Sequence, residues 1–293
     1  MTFEYHEPLS TVEALELLDR YGDQAKILAG GQSLMVLIRS GLVTPAHLVS
    51  LRRVRASDSL VVSPEGRSSI GCMATYRDVS RTPAVLNQFS ALADACRMVG
   101  PIPVQNMGTL GGSLCHNAPG ADVPPALLAF DATAEVEDSS GPSAIPLTEF
   151  FRGYFETVLS SNQLLIAISL PPPPAGSISA YIKFNYRLID MAFIGVAVVA
   201  SFDATGSCQR ARIAIGGVDS VPFRVRAAEL ALEGRQLDAE AIAEAGRLVA
   251  EDRETISDFN CSATYRKRVL PVIVRRAFAS ALARRELPIG VSS

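Results

Sequence analysis

The chain has 293 residues, with 27 Lys and Arg against 30 Asp and Glu and a formal charge of −3, a balance that carries no electrostatic footprint for nucleic acid. With 48% hydrophobic and 19% charged residues, it is able to bury large cores and leaves little room for extended disorder. Its length exceeds what one core usually serves, so two or three units of roughly 60 to 150 residues are expected and a single small module is excluded.

The N-terminal stretch is acidic and interrupted by Pro8, without the basic start and apolar run of an export signal, so secretion is not expected. In chain order, Ser10-Thr11-Val12-Glu13 reads as a capping box opening a helix that Gly22 closes, and Lys26–Ala29 as a short buried strand. Gly30-Gly31-Gln32-Ser33 then turns sharply into a helix over Leu34–Ile38, ended by Gly41, before an apolar strand at His47–Leu51. These elements make a small α/β unit, residues 1–57. Strands over Leu60–Val62, Ser69–Cys72, Thr133–Val136 and Leu164–Leu170, with helices near Thr75–Ser80, Ser90–Val99 and Asp122–Ala129, make a larger α/β unit, residues 58–174. Pro171–Pro174 can continue neither a helix nor a central strand and mark its end. Beyond them, strands at Ile178–Arg187, Phe193–Phe202 and Gln209–Ile215 precede helices at about 223–232, 238–250 and 263–285, an α+β unit of residues 175–293. The longest apolar run, Met191–Ala200, is too short to cross a ~30 Å hydrocarbon layer at about 1.5 Å per helical residue. Cys72, Cys96, Cys115, Cys208 and Cys261 are odd in number and scattered, with no CxxC pair for a metal or iron–sulfur cluster, and fit reduced thiols in a cytoplasmic protein.

Two glycine-rich stretches stand out: Ala29–Ser33, between strand and helix, and Gly108-Thr109-Leu110-Gly111-Gly112-Ser113. Glycine permits both the turn and the close approach by which backbone N–H groups reach a diphosphate. Neither stretch has the GKS or GKT ending of a P-loop or the GxGxxG spacing of a Rossmann turn, and each taken alone reads first as a tight turn or helix cap. From Met98 to Phe151 there is no Lys or Arg, so a diphosphate held here relies on amides and hydroxyls. Asp122 either accepts from a ribose hydroxyl or caps the helix begun by Val123-Pro124-Pro125, or does both. In the third unit Ser179, Tyr181 and Lys183 alternate with Ile178, Ala180, Ile182 and Phe184, which places Lys183 on the polar side of a strand. It is either a solvated lysine or an ammonium near the carbonyl edge of a flavin, where it would stabilise the reduced, anionic ring.

Taken together, Ala29-Gly30-Gly31-Gln32-Ser33-Leu34, Ile70-Gly71-Cys72-Met73-Ala74-Thr75, Asn106-Met107-Gly108-Thr109-Leu110-Gly111-Gly112-Ser113 with Asp122, and Tyr181-Ile182-Lys183 with Asp190 resemble one family. It is the FAD-binding medium subunit of the molybdenum hydroxylases, the multisubunit relatives of xanthine dehydrogenase and aerobic carbon monoxide dehydrogenase. The likeness runs through nearly the whole chain and includes Ser262–Arg268. It implies an α+β fold: two α/β subdomains of the FAD-binding PCMH type, then a C-terminal three-stranded antiparallel sheet with a helical bundle. It also implies FAD extended between the first two units. Leu28, Ala29, Gly30, Gly31, Gln32, Ser33 and Leu34 of one bend and Gly108, Thr109, Leu110, Gly111, Gly112 and Ser113 of the other would bind its diphosphate, with Asp122 at the ribose and Lys183 near the isoalloxazine. Leu110 stands where the family usually has isoleucine, Met191 follows Asp190 where several relatives carry an aromatic residue, and Ala118 replaces an acidic residue of many members.

No serine–histidine–acid set, metal cluster or carboxylate pair emerges, as suits a chain whose cofactor carries the chemistry. Cys115 and His116, read as neighbours on a strand, point to opposite faces and do not pair; Cys115 is expected to be buried and His116 to pack near the cofactor. The resemblance implies that substrate is hydroxylated at a molybdopterin centre in a large partner subunit. Electrons then cross two 2Fe-2S clusters in a small partner subunit to FAD on this chain and leave to an external acceptor. A cytoplasmic dimer of heterotrimers is the expected assembly, and this chain is expected to hold no catalytic residue and no metal. The alternatives are a free-standing flavin oxidoreductase, which would turn over by itself, and a scaffold subunit, which would carry no yellow chromophore. Thr264–Ser293 holds seven Lys or Arg and one acid, Glu286, and forms either a solvated helix face or a docking face.

Overall fold

The computed structural model describes residues 2–54, 57–187 and 189–285; Glu286 and the tail after it lie outside the described residues. The N-terminal unit contains β1 (Glu4–His6), α1 (Thr11–Tyr21), β2 (Ala25–Leu28), α2 (Leu34–Arg39) and β3 (His47–Ser50). Its strands form a parallel sheet in the order β1-β3-β2. The Ser10 hydroxyl accepts from Glu13 N at 3.2 Å and the Glu13 carboxylate accepts from Leu9 N at 2.7 Å, which satisfies two donors at the start of α1.

The middle unit runs through β4 (Leu60–Val61), β5 (Ser68–Gly71), α3 (Tyr76–Arg81), α4 (Pro83–Gln88), α5 (Ser90–Met98), α6 (Ile102–Met107), α7 (Leu110–His116) and α8 (Val123–Ala129). It continues with β6 (Thr133–Asp138), β7 (Gly141–Pro146), α9 (Leu147–Phe150), β8 (Phe151–Gly153), β9 (Glu156–Thr157) and β10 (Leu164–Leu170). Its main sheet, β4-β5-β10-β6-β7, is antiparallel throughout. The second glycine-rich stretch is a helix start rather than an open loop: the Thr109 hydroxyl caps α7, accepting from Gly112 N at 3.0 Å. Cys115 and His116 therefore lie on a helix and not on a strand, with side chains about 100° apart.

The C-terminal unit contains β11 (Ile178–Phe184), β12 (Ile194–Phe202), β13 (Cys208–Gly216), β14 (Phe223–Arg224), α10 (Arg226–Leu232), α11 (Ala239–Glu251) and α12 (Ala263–Arg285). Its antiparallel sheet has four strands, β11-β12-β13-β14, and not three, because Phe223–Arg224 pairs with β13 before α10 begins.

Two hydrophobic clusters hold the molecule together. One runs from Ala14 and Val49 through Ile70, Leu92 and Leu127 to Tyr181, Ala197 and Ala214, so the first two units share a continuous core. The other lies between the opposite face of the C-terminal sheet, with Ile178, Val196 and Ile213, and α10–α12. That sheet is thus covered on both faces. The side of β11 that reads as polar meets α5: Ser179 Oγ lies 2.8 Å from Ser90 Oγ and accepts from Ala91 N at 3.1 Å.

Ion pairs cross the same seam. Asp131 accepts from Arg210 at 2.9 Å, from Arg212 at 3.2 Å and from Arg224, and Arg284 donates to both Asp94 oxygens at 2.7 and 2.8 Å. Part of the C-terminal basic run is therefore scaffold. Arg266 is buried and donates to the carbonyls of Phe193, Ile256 and Cys261 and to Asp258. Among the described residues, no helix is long and apolar enough to cross a membrane.

Candidate functional site

β2 delivers the first bend. Past Leu28 the chain turns through Gly31, whose φ of 71° glycine adopts without strain, and restarts as α2. Among the described residues, the N–H groups of Gly30, Gly31, Gln32, Ser33 and Leu34 have no acceptor in the protein. The second bend is differently supplied. Leu110 N donates to Ala74 O at 3.0 Å, Gly111 N to Cys72 O at 2.9 Å, and Tyr76 N to Gly108 O at 3.1 Å. These bonds clip the start of α7 onto the segment after β5. Between 108 and 113, Thr109 carries the N–H without a protein acceptor among the described residues. The expectation that both bends offer rows of amides is corrected on the second side, whose glycines serve close packing.

The bends meet. A Cβ on Gly30 would overlap the Met107 carbonyl oxygen, and one on Gly112 would lie 3.6 Å from Ala29 Cβ. Residues 29–34 and all of 108–113 except Leu110 line a single cavity of about 660 Å³, inside the roughly 300–1,000 Å³ of small-molecule sites. Leu110 is fully buried in the core behind the bend, and Leu28 does not line the cavity.

Asp122 and Lys183 stand together in the cavity wall. Lys183 Nζ donates to Asp122 Oδ2 at 3.0 Å and to Met98 O at 2.9 Å, and Tyr181 Oη donates to Asp122 Oδ1 at 2.8 Å. Asp122 sits at the N-cap position of α8 but makes no side-chain cap bond. Of the two readings open for Lys183, the solvated one does not hold: its side chain is only 1% exposed, because α5 and α8 cover its face of the sheet. Burial pushes Asp122 up to about 6, against the nearby Lys183 charge and the bonds from Lys183 and Tyr181. Burial, and then Asp122, push Tyr181 well above its ordinary range. Asp122, expected at the ribose, and Lys183, expected near the isoalloxazine, are in contact at 3.0 Å and form one polar point of the cavity wall.

The sequence and fold have close counterparts. Residues 1–173 match the FAD binding domain in molybdopterin dehydrogenase, and residues 179–281 match the CO dehydrogenase flavoprotein C-terminal domain. The chain is 32% identical to the 6-hydroxypseudooxynicotine dehydrogenase complex subunit alpha of Paenarthrobacter nicotinovorans, covering 97% of this chain and 95% of that one. It is 31% identical to the carbon monoxide dehydrogenase medium chain of Afipia carboxidovorans, covering 97% and 98%. Among solved structures it is similar to carbon monoxide dehydrogenase from Hydrogenophaga pseudoflava, with a TM-score of 0.93, 32% identity and 97% and 98% coverage. This chain belongs to the FAD-binding medium subunits of the molybdenum hydroxylases.

The residues of this medium subunit fit FAD. Unpaired main-chain donors on the first bend suit a diphosphate. Lys183 has three N–H donors and spends two on Asp122 and Met98, leaving one for a ligand. Cys115, expected to be buried, is exposed and borders the cavity. The His116 ring lies 5.1 Å from that of Phe155, and burial holds its imidazole below the usual value. At the mouth, Phe155 is 59% and Met191 53% exposed. Tyr181 is the site residue to which the sequence reading gave no role of its own; its place two residues before Lys183 on one strand face is the signal that could have found it.

Proposed function

We propose that this medium subunit holds FAD across the two joined bends and relays electrons within a molybdenum hydroxylase. They would arrive from 2Fe-2S clusters of a small partner subunit and leave to an external acceptor, while a large partner subunit hydroxylates substrate at its molybdopterin centre. Bound FAD supplies the redox chemistry, accepting and releasing the electrons. The chain's own residues bind and orient it: N–H groups of Gly30–Leu34 with Thr109 N–H donate to the diphosphate, and Lys183, held by Asp122 and Met98, donates its remaining hydrogen to the cofactor. The observation that carries this reading is the contact of Gly30 with Met107, which turns two distant sequence stretches into one lining.

The assembly we infer is a dimer of heterotrimers, and its cytoplasmic setting is what five free cysteines support. The hydroxylating pocket belongs to another polypeptide, so this chain does not select the substrate. Purification of the native protein, with its visible spectrum and subunit bands, is the test. Flavin and iron–sulfur absorption with a large and a small companion is the expected result. A colourless preparation, or a lone chain that oxidises a substrate unaided, would overturn it.

A further inference from the structure

Glu4, His6 and His47 come together at one edge of the N-terminal sheet, although 41 residues separate the two histidines. Strand register brings this about. Glu4 and His6 are two apart on β1 and share a face, and His47 is the direct partner of Glu4 in the parallel β1–β3 pair. Tyr21, at the end of α1, stacks on His47 with ring centroids 3.6 Å apart and planes 15° apart, and on His6 at 5.4 Å. The two imidazoles are thereby held in place, and their side chains are 19% and 13% exposed for His6 and His47 against 71% for Glu4.

The donor atoms face one another. His6 Nε2 and His47 Nδ1 are 3.1 Å apart, and Glu4 Oε2 lies 3.5 Å from His47 Nδ1 and 3.8 Å from His6 Nε2. Around a tetrahedral zinc ion with bonds of about 2.0–2.2 Å, ligand atoms stand roughly 3.3–3.6 Å from one another. The three observed separations bracket that edge length. Two imidazoles and a carboxylate are also a donor set that zinc takes up, with water in the fourth position. A hydrogen bond between the imidazoles, with Glu4 paired to one of them in its protonated form, is the metal-free alternative that zinc titration separates.

We propose that Glu4, His6 and His47 form a Zn²⁺ site that pins the three-residue β1 to β3. None of the three lines the cofactor cavity, so the proposal stands apart from the flavin reading. It departs from the expectation that the chain holds no metal, because the set is assembled by sheet pairing and has no spacing signature in the sequence.

The test is zinc content of the full chain by atomic spectroscopy after dialysis, with calorimetric titration of ZnCl₂ into metal-free protein. A single high-affinity ion per chain is expected. His47→Ala should weaken binding more than about 100-fold, and Glu4→Gln and His6→Gln at least about tenfold. Flavin content measured on the same samples distinguishes a lost ligand from a lost fold, and the partly exposed Glu4 gives a variant that leaves packing alone. Absence of zinc uptake by the unmodified chain, or uptake indifferent to Glu4→Gln and His6→Gln, overturns the site.

Discussion

Asp122 illustrates what a single buried carboxylate does here. Its side chain is 5% exposed beside an ammonium that is 1% exposed, and burial outweighs pairing, so its value moves from 3.8 to about 6. A raised folded-state value means that the stability linked to this group is fully present below 3.8 and is lost as pH rises through about 6. In the flavin-free chain, Asp122→Asn, which does not ionise, should become more stable relative to the unmodified chain by about 2 kcal/mol between pH ~4 and pH ~7. Urea midpoints across that range are the measurement. Flavin content of the variant should fall, because the group that orients Lys183 has lost its charge. If the difference between the two chains is flat with pH, pairing rather than burial governs the carboxylate.

At the scale of elements, the contact between the bends rests on Gly30. The methyl group of Gly30→Ala would overlap the Met107 carbonyl oxygen, a backbone atom that has to shift, so the bends are forced apart and flavin binding should weaken by more than about 5-fold, the change that about 1 kcal/mol gives. Fluorescence titration of flavin into the stripped chain reads this directly; undiminished affinity would mean that the bends do not act together. Gly111→Val acts elsewhere: its Cβ would lie 2.6 Å from Cys72 Cβ, a contact inside the middle unit rather than between the bends.

The first bend was legible because a glycine turn between an apolar strand and a helix has few other readings. The helix after Gly108 was not, since Gly111 and Gly112 carry low helical propensity and only the Thr109 cap and tertiary clips hold them. Alternation along β11 correctly put Tyr181 and Lys183 on one face. What covers that face is a long-range fact, and alternation alone left open whether Lys183 meets solvent or an interior. Phe223–Arg224 became a fourth strand for a similar reason: its partner is set by β13, not by its own two residues.

At the scale of the whole molecule, Asp131 gathers Arg210, Arg212 and Arg224 across the seam between the middle and C-terminal units. Asp131→Asn keeps a residue tolerant of its φ of 52° while removing the charge. With its side chain 32% exposed, solvent screening limits the expected loss to about 1–3 kcal/mol, measurable as a lower and salt-insensitive denaturation midpoint. Lys267→Ala, whose partner Glu254 is 93% exposed, should stay within about 0.5 kcal/mol of the unmodified chain. A loss at Lys267 as large as at Asp131 would show that the seam is not specially fastened.

The continuous hydrophobic cluster beneath the first two units has a bearing on assembly. Because the floor of the cleft is a shared interior, parting the units would expose apolar surface from both, and a stripped polypeptide should keep its mould. Reloading should then be simple, fast and reversible for the lone chain.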